Sequence, residues 1–249
     1  MSLFRRLIQR GWPLASSGRA GVAAGILTAV AAFPGTAFAQ GRATNSRYFP
    51  LNQNTPPGVA AQWTTAARRT VRCGPQPIRV ELPGDDGQVS FYPRPDSAPV
   101  TLPAPALAAI QVGNVYRLKI DQLSEYPGVE LYPTIELLDR LHPPAGRELE
   151  FPVPITITDD EVRAVLEGRM VTKVIYLEQP DRADATRPTN ASRTVLASPR
   201  ENILGLADEA GRPMAILRMG SRTPDPRQPD PTFFGYGAPI QFPQAPAKE

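Results

Sequence analysis

One histidine, one cysteine and a scatter of carboxylates are the residues of this 249-residue chain that could do chemistry. His142, in Leu141-His142-Pro143-Pro144, would have to be the base of any serine nucleophile. No Gly-x-Ser-x-Gly elbow accompanies it, so it reads as a loop residue. Cys73 stands alone, which rules out a disulfide within the chain. It reads as a small buried residue at a domain edge. A zinc site needs clustered Cys and His, and this pair is far apart in sequence.

The carboxylates offer three arrangements. Asp85-Asp86, between Gly84 and Gly87, could hold calcium, but two glycines around two aspartates read more simply as a turn. Asp159-Asp160-Glu161 has the look of a metal triad. Its place in the first turn of a helix, where negative charge meets the helix dipole, accounts for it without metal. Asp121, Glu130, Glu136 and Asp139 lie on strand faces, where a facing pair roughly 5 to 10 Å apart would suit glycoside hydrolysis. The plainer reading is a solvated sheet face. The sequence therefore nominates no catalytic residue, no cofactor and no metal ligand.

Aromatic residues near the ends are the better binding candidates. Phe233, Phe234, Tyr236 and Phe242 punctuate a Pro-rich tail, and Tyr48, Phe49 and Trp63 sit in an N-terminal arm. A segment gains nothing by displaying such side chains unless they dock, on the parent domain, on a second copy or on a partner. Phe233, Phe234, Tyr236 and Phe242 are the nominated partner-binding residues. Arg68, Arg69 and Arg72 form a short basic cluster that reads as solvated.

The elements that would position these groups begin after an export signal. Arg5, Arg6, Arg10 and Arg19 give a positive, acid-free start. Residues 21–33 are apolar, and Ala37-Phe38-Ala39 has the small-x-small form that signal peptidase cuts. The apolar run is 13 residues long before Pro34 and Gly35, short of the ~20 needed to span a bilayer. No Cys follows it, so a lipid anchor is not expected. Arg5-Arg6 admits the twin-arginine route beside the general one. The expected product starts at Gln40 and works in the periplasm or at the cell surface, with no transmembrane segment. Cleavage also removes four Arg, so the net charge of +3 becomes 23 basic against 24 acidic residues, or −1. The basic pI thus belongs to the leader, and no basic stripe for nucleic acid remains.

Proline, 30 residues in all, marks further boundaries. Residues 40–73 read as a disordered arm and 222–249 as a Pro-rich disordered tail. A domain of residues 74–221 lies between, with a polar loop at 181–198. Within it apolar residues alternate at Ile78, Val80 and Leu82, then at Val89 and Phe91 after the Gly84–Gly87 turn, which predicts a hairpin. Further alternation predicts strands over 116–120, 129–137 and 149–157, and the runs MVTKVIYL and PMAILRM, each after Gly-Arg, are read as strands over 170–177 and 213–219. Pro152 and Pro154 place the 149–157 strand at a sheet edge. Capping boxes at Thr158–Glu161 and Ser198–Glu201 predict two helices ending at Gly168 and Gly211.

The phrases VYRLKI, YPGVELYPTIELLDRLHPP, EFPVPITIT, GRMVTKVIYLEQP and AGRPMAILRMGSR, within residues 114–222, resemble those of a family of uncharacterised exported proteins of planctomycete bacteria. The resemblance implies export and carries no activity. The fold expected from about seven strands and two short helices is mainly β, an immunoglobulin-like β-sandwich. Val174 and Tyr176, apolar on the second face of their strand, keep open an α+β sheet with helices on one face. The expected function is an exported, non-catalytic cell-envelope protein for protein–protein contact or structure, with an envelope protein or a second copy as partner. A carboxylate-dependent hydrolase of envelope glycan and a metal- or small-ligand-binding module are the alternatives.

Overall fold

A computed structural model describes residues 4–9, 48–52, 54–67, 75–94, 97–179, 194–198, 200–228, 230, 232–235 and 238–243. Its first half runs β1 (Phe4–Gln9), α1 (Val59–Ala67), β2 (Gln76–Glu81), β3 (Gln88–Phe91), β4 (Val100–Pro103), β5 (Ala106–Ile110) and β6 (Val115–Asp121). Then follow β7 (Thr134–Leu137), β8 (Val153–Thr156), α2 (Asp159–Leu166) and β9 (Val171–Glu178). The chain ends with β10 (Thr194–Ala197), α3 (Ile203–Ala210), β11 (Gly211–Met219) and β12 (Ile240–Gln241).

The protein is mainly β and sandwich-like. An eight-stranded sheet in the order β10-β1-β9-β11-β7-β6-β3-β4 packs on a four-stranded sheet in the order β12-β5-β2-β8. The alternating sequences do this directly. β6 buries Tyr116, Leu118 and Ile120 while the residues between them stay half-exposed. Ile78 and Val80 of β2 and Val153 and Ile155 of β8 meet them from the small sheet in one core. β8 is an edge strand, hydrogen-bonded only to β2, in keeping with Pro154 inside it and Pro152 just before it.

The large sheet is covered on both faces. Ile175 of β9 and Leu217 of β11 enter the sandwich core. Their neighbours Val174, Tyr176 and Ile216 enter a second core with Ile203, Leu204 and Ala207 of α3 and Ala60 and Ala61 of α1. The helices on the outer face are thus added to the sandwich instead of replacing it, and the strand count exceeds the seven expected.

Four expectations need correcting. The Gly84–Gly87 turn is not a hairpin: β2 pairs with β5 and β8, β3 with β4 and β6, so the turn carries the chain from one sheet to the other. Gly84, Asp85 and Gly87 all have positive φ (68°, 52° and 92°), a wide arch that two-residue hairpin turns do not use. The strand expected from residue 149 begins at Val153, because Glu148–Glu150 is a 3-10 turn that leaves Leu149 and Phe151 exposed. The second helix is capped by Asn202, not Ser198. Asn202 Oδ1 accepts from Gly205 N at 3.1 Å and from Leu51 N at 2.9 Å, so it caps α3 and ties down the arm at once. Finally, the arm and tail expected to be disordered contain α1 and β12, and Tyr48, Leu51 and Phe233 are buried.

Residues 4–9 belong to the expected leader. In the sheet, β1 lies antiparallel to β9 and parallel to β10. Among the described residues, no helix is long and apolar enough to cross a membrane.

Candidate functional site

The tail returns to the domain through its aromatic residues. Asp230 Oδ1 accepts from Thr232 N at 2.8 Å and from Thr232 Oγ1 at 2.6 Å, which turns the chain and projects the next two side chains inward. Phe233 packs edge-on against Tyr132 at 5.4 Å. Phe234 stacks on Tyr92, with centroids 3.6 Å apart and planes 17° apart. Phe242 meets Phe91 edge-on at 5.7 Å, beside the pairing of β12 with β5. Tyr116 joins the seam by donating from its hydroxyl to Pro239 O at 3.2 Å while accepting from Gln111 N at 2.9 Å. Three of the four nominated partner-binding aromatics, Phe233, Phe234 and Phe242, are therefore engaged by the parent domain. Tyr236 lies outside the described residues, as do Cys73, Arg68, Arg69 and Arg72.

On the other side of this seam stands the start of α1. Gly58 has φ +92°, and a Cβ there would lie 2.9 Å from Val115 Cγ2. Gly113 has φ +88°, and its Cβ would lie 2.2 Å from Thr65 Oγ1. Two missing side chains let the helix press against the turn before β6.

Between tail, helix and sheet lies a half-open cavity of about 380 Å³. Its charged lining is Arg117, Arg222 and Asp230; Gln62, Asn114 and Thr134 add polar groups, and Val115, Phe234 and Ala238 add apolar surface. The Arg117 guanidinium sits 4.3 Å from the Phe233 ring centre and donates from Nη1 to Phe233 O. Burial lowers the Arg117 pKa, and the nearby charge of Arg222 lowers it further. Arg222 stands 5.4 Å from the same ring and 3.6 Å from Asp230 Oδ2. Hydrogen bonds from Thr232 hold the exposed Asp230 carboxyl below the usual carboxylate range.

The acids read from the strands lie elsewhere. Asp121 and Glu130 share Lys119, at 2.9 and 2.6 Å, and Glu130 also accepts from the Tyr132 hydroxyl at 2.6 Å. The Lys119 and Tyr132 contacts hold Glu130 below its ordinary pKa. Glu136 is wholly buried 3.3 Å from Arg218. Burial pushes its carboxyl up, against the pull of Arg218 and of the Gly58 and Ala61 amides at the start of α1. Asp139 stands 3.5 Å from Arg212. None of these four lines the cavity.

The remaining sequence candidates are structural. Asp86 Oδ2 accepts from Ser124 N at 3.2 Å in the inter-sheet arch. Asp159 pairs with Arg163 and accepts from the Tyr126 hydroxyl. Glu161 closes the capping box by accepting from Thr158 N at 2.9 Å. His142 is an exposed loop residue. Among the described residues, no group of three His, Cys, Asp or Glu is placed to hold a metal ion.

Sequence reasoning missed Arg117 and Arg222. Arg117 looked like the polar half of an alternating strand, and Arg222 like the first residue of the tail. Only the return of the tail, which the aromatic residues signalled, brings them together. Compared with known protein families, curated proteins and solved structures, the chain matches none.

Proposed function

We propose that this chain is an exported, non-catalytic cell-envelope protein that acts by binding, at the seam where tail, α1 and large sheet meet. The observation that supports it best is the lining of the seam cavity: guanidinium donors, amide and hydroxyl groups and aromatic faces around about 380 Å³. These groups hold a ligand. The strand acids that a glycan hydrolase would use are instead engaged with Lys119, Arg212 and Arg218. The leader pattern supports the envelope as the place of action.

Export with cleavage after Ala39 removes β1. Since β1 runs parallel to β10 and antiparallel to β9, β10 is antiparallel to β9 and can close directly onto it. Residues 40–249 alone are therefore expected to melt cooperatively, with β9 amides protected from hydrogen exchange. N-terminal sequencing of the exported fraction should read from Gln40, and chemical cross-linking in the envelope should trap a partner or a second copy. A cytosolic product that keeps Met1, a 40–249 chain that does not fold, or a folded one that neither binds nor self-associates overturns the proposal.

A further inference from the structure

We infer that the seam cavity binds an organic carboxylate, gripped between Arg117 and Arg222 with its apolar body against Val115, Phe234 and Ala238. The inference rests on the reading of the chain as a binding module and names the ligand class of that site.

Charge selects the class. Two guanidiniums and one carboxylate line the cavity, leaving one net positive charge. A monoanion neutralises that; a phosphate dianion overshoots it. Geometry agrees. A guanidinium carries five N–H donors in a plane, and Arg117 spends one of them, Nη1, on Phe233 O. Arg222 lies 3.6 Å from Asp230, longer than a hydrogen bond. Thr232 occupies Asp230 Oδ1 through both its N–H and its hydroxyl. Both arginines thus keep donors for a planar two-oxygen acceptor, the shape a guanidinium fork matches best.

The surroundings set the size. At about 380 Å³ the cavity is near the small end of ligand pockets, which run from about 300 to 1,000 Å³. That suits the last residues of a peptide or a small organic acid. Phe233 lies under both guanidiniums. It covers a face of each and leaves the in-plane donors at their edges for the ligand.

The test uses the full chain and isothermal titration at low salt, with four probes: acetyl-Ala-Ala with a free carboxylate, the same dipeptide as its C-terminal amide, benzoate, and inorganic phosphate. Saturable one-to-one binding of a free carboxylate is expected, weakened about tenfold or more in the dipeptide amide. Binding of the dipeptide alone assigns the site to peptide C-termini, and binding of benzoate as well assigns it to carboxylates in general. Arg117→Gln and Arg222→Gln should each weaken binding about tenfold. Arg222 is 69% exposed in its side chain, so its variant should keep the parent melting temperature and serve if Arg117→Gln fails to fold. No saturable carboxylate binding, equal binding of acid and amide, tighter binding of phosphate, or a folded Arg222→Gln chain that binds like the parent overturns the inference. A cross-linked envelope partner recovered alongside those results would leave the binding-module proposal standing and remove only the carboxylate.

Discussion

Replacing Lys173 by Met should cost this fold more than any surface change, and the reason is one ammonium group. Lys173 sits on β9 with no exposed side-chain surface, facing Glu161 of α2, whose side chain is 3% exposed. Its Nζ donates to Glu161 Oε1 at 2.8 Å, to Glu161 Oε2 at 2.7 Å and to Thr156 O at the end of β8. It therefore joins the large sheet, the small sheet and the helix that closes one end of the sandwich. Removing one partner of such a pair leaves a buried charge uncompensated, at a cost of about 3 to 5 kcal/mol. In a chain of this size that lowers Tm by about 6 to 20 °C.

The double variant Lys173→Met with Glu161→Gln removes both charges, and the Gln oxygen can still accept from Thr158 N. Its loss should be smaller than that of Lys173→Met alone by about 2 kcal/mol or more. Urea unfolding of the parent, both singles and the double at pH 7 reads all of this. A Lys173→Met chain within about 1 kcal/mol of the parent, or single losses that simply add in the double, would refute the reasoning.

Phe233→Ala should free the tail more than it destabilises the core. The intrinsic cost of truncating a buried Phe is about 3 to 5 kcal/mol, but the tail can undock, which caps the loss at its docking energy. Trypsin should then cut faster at Arg227, with only a small fall in Tm. Gly113→Ala drives a Cβ to 2.2 Å from Thr65 Oγ1 at φ +88°, adding a clash of about 1 to 3 kcal/mol to a left-handed cost of about 1 to 2 kcal/mol. Adding Thr65→Ala should recover the first part and leave the second, as thermal melts of the two variants would show. Tyr126→Phe removes the largest cause of the lowered Asp159 pKa, so NMR titration should find that carboxyl moved up toward the usual range. A depressed carboxyl stabilises above the unfolded pKa and loses this as pH falls through the folded one. The variant's deficit should therefore be present at pH 7 and vanish in acid.

What was legible in the sequence followed from local rules. β6 shows in its alternation, β9 and β11 in apolar runs that each follow Gly-Arg, α2 in its capping box, and the edge position of β8 in Pro154 and the Pro152 just before it. The failures have a common cause: alternation reports that a strand has two unlike faces and is silent about its neighbour. That is why the Gly84–Gly87 turn read as a hairpin when it changes sheets, and why β5, ALAAI, with small apolar residues on both faces, showed no pattern at all. Lys173 was hidden in the same way. In MVTKVIYL it reads as the polar member of an apolar run, and nothing local announces that Glu161 will cover it. The arm was misread through composition, since Ala and Thr in VAAQWTTAA give a weak helix signal that only packing on the large sheet completes.

The same distinction bears on how the seam could work. Arg117 belongs to β6, deep in the pattern of the large sheet, whereas Arg222 and Phe234 arrive with the tail. A ligand gripped by both must bind the docked tail better than the undocked one, and linkage then makes docking tighter in proportion: at 100 times Kd the stabilisation is about 2.7 kcal/mol. Trypsin cleavage at Arg227 should accordingly slow as the carboxylate is added, while melting of the sandwich core, which the ligand touches on one side only, should shift less. Cleavage that is unchanged at saturating ligand would mean that the tail contributes nothing to the grip, and that the cavity binds through β6 and α1 alone.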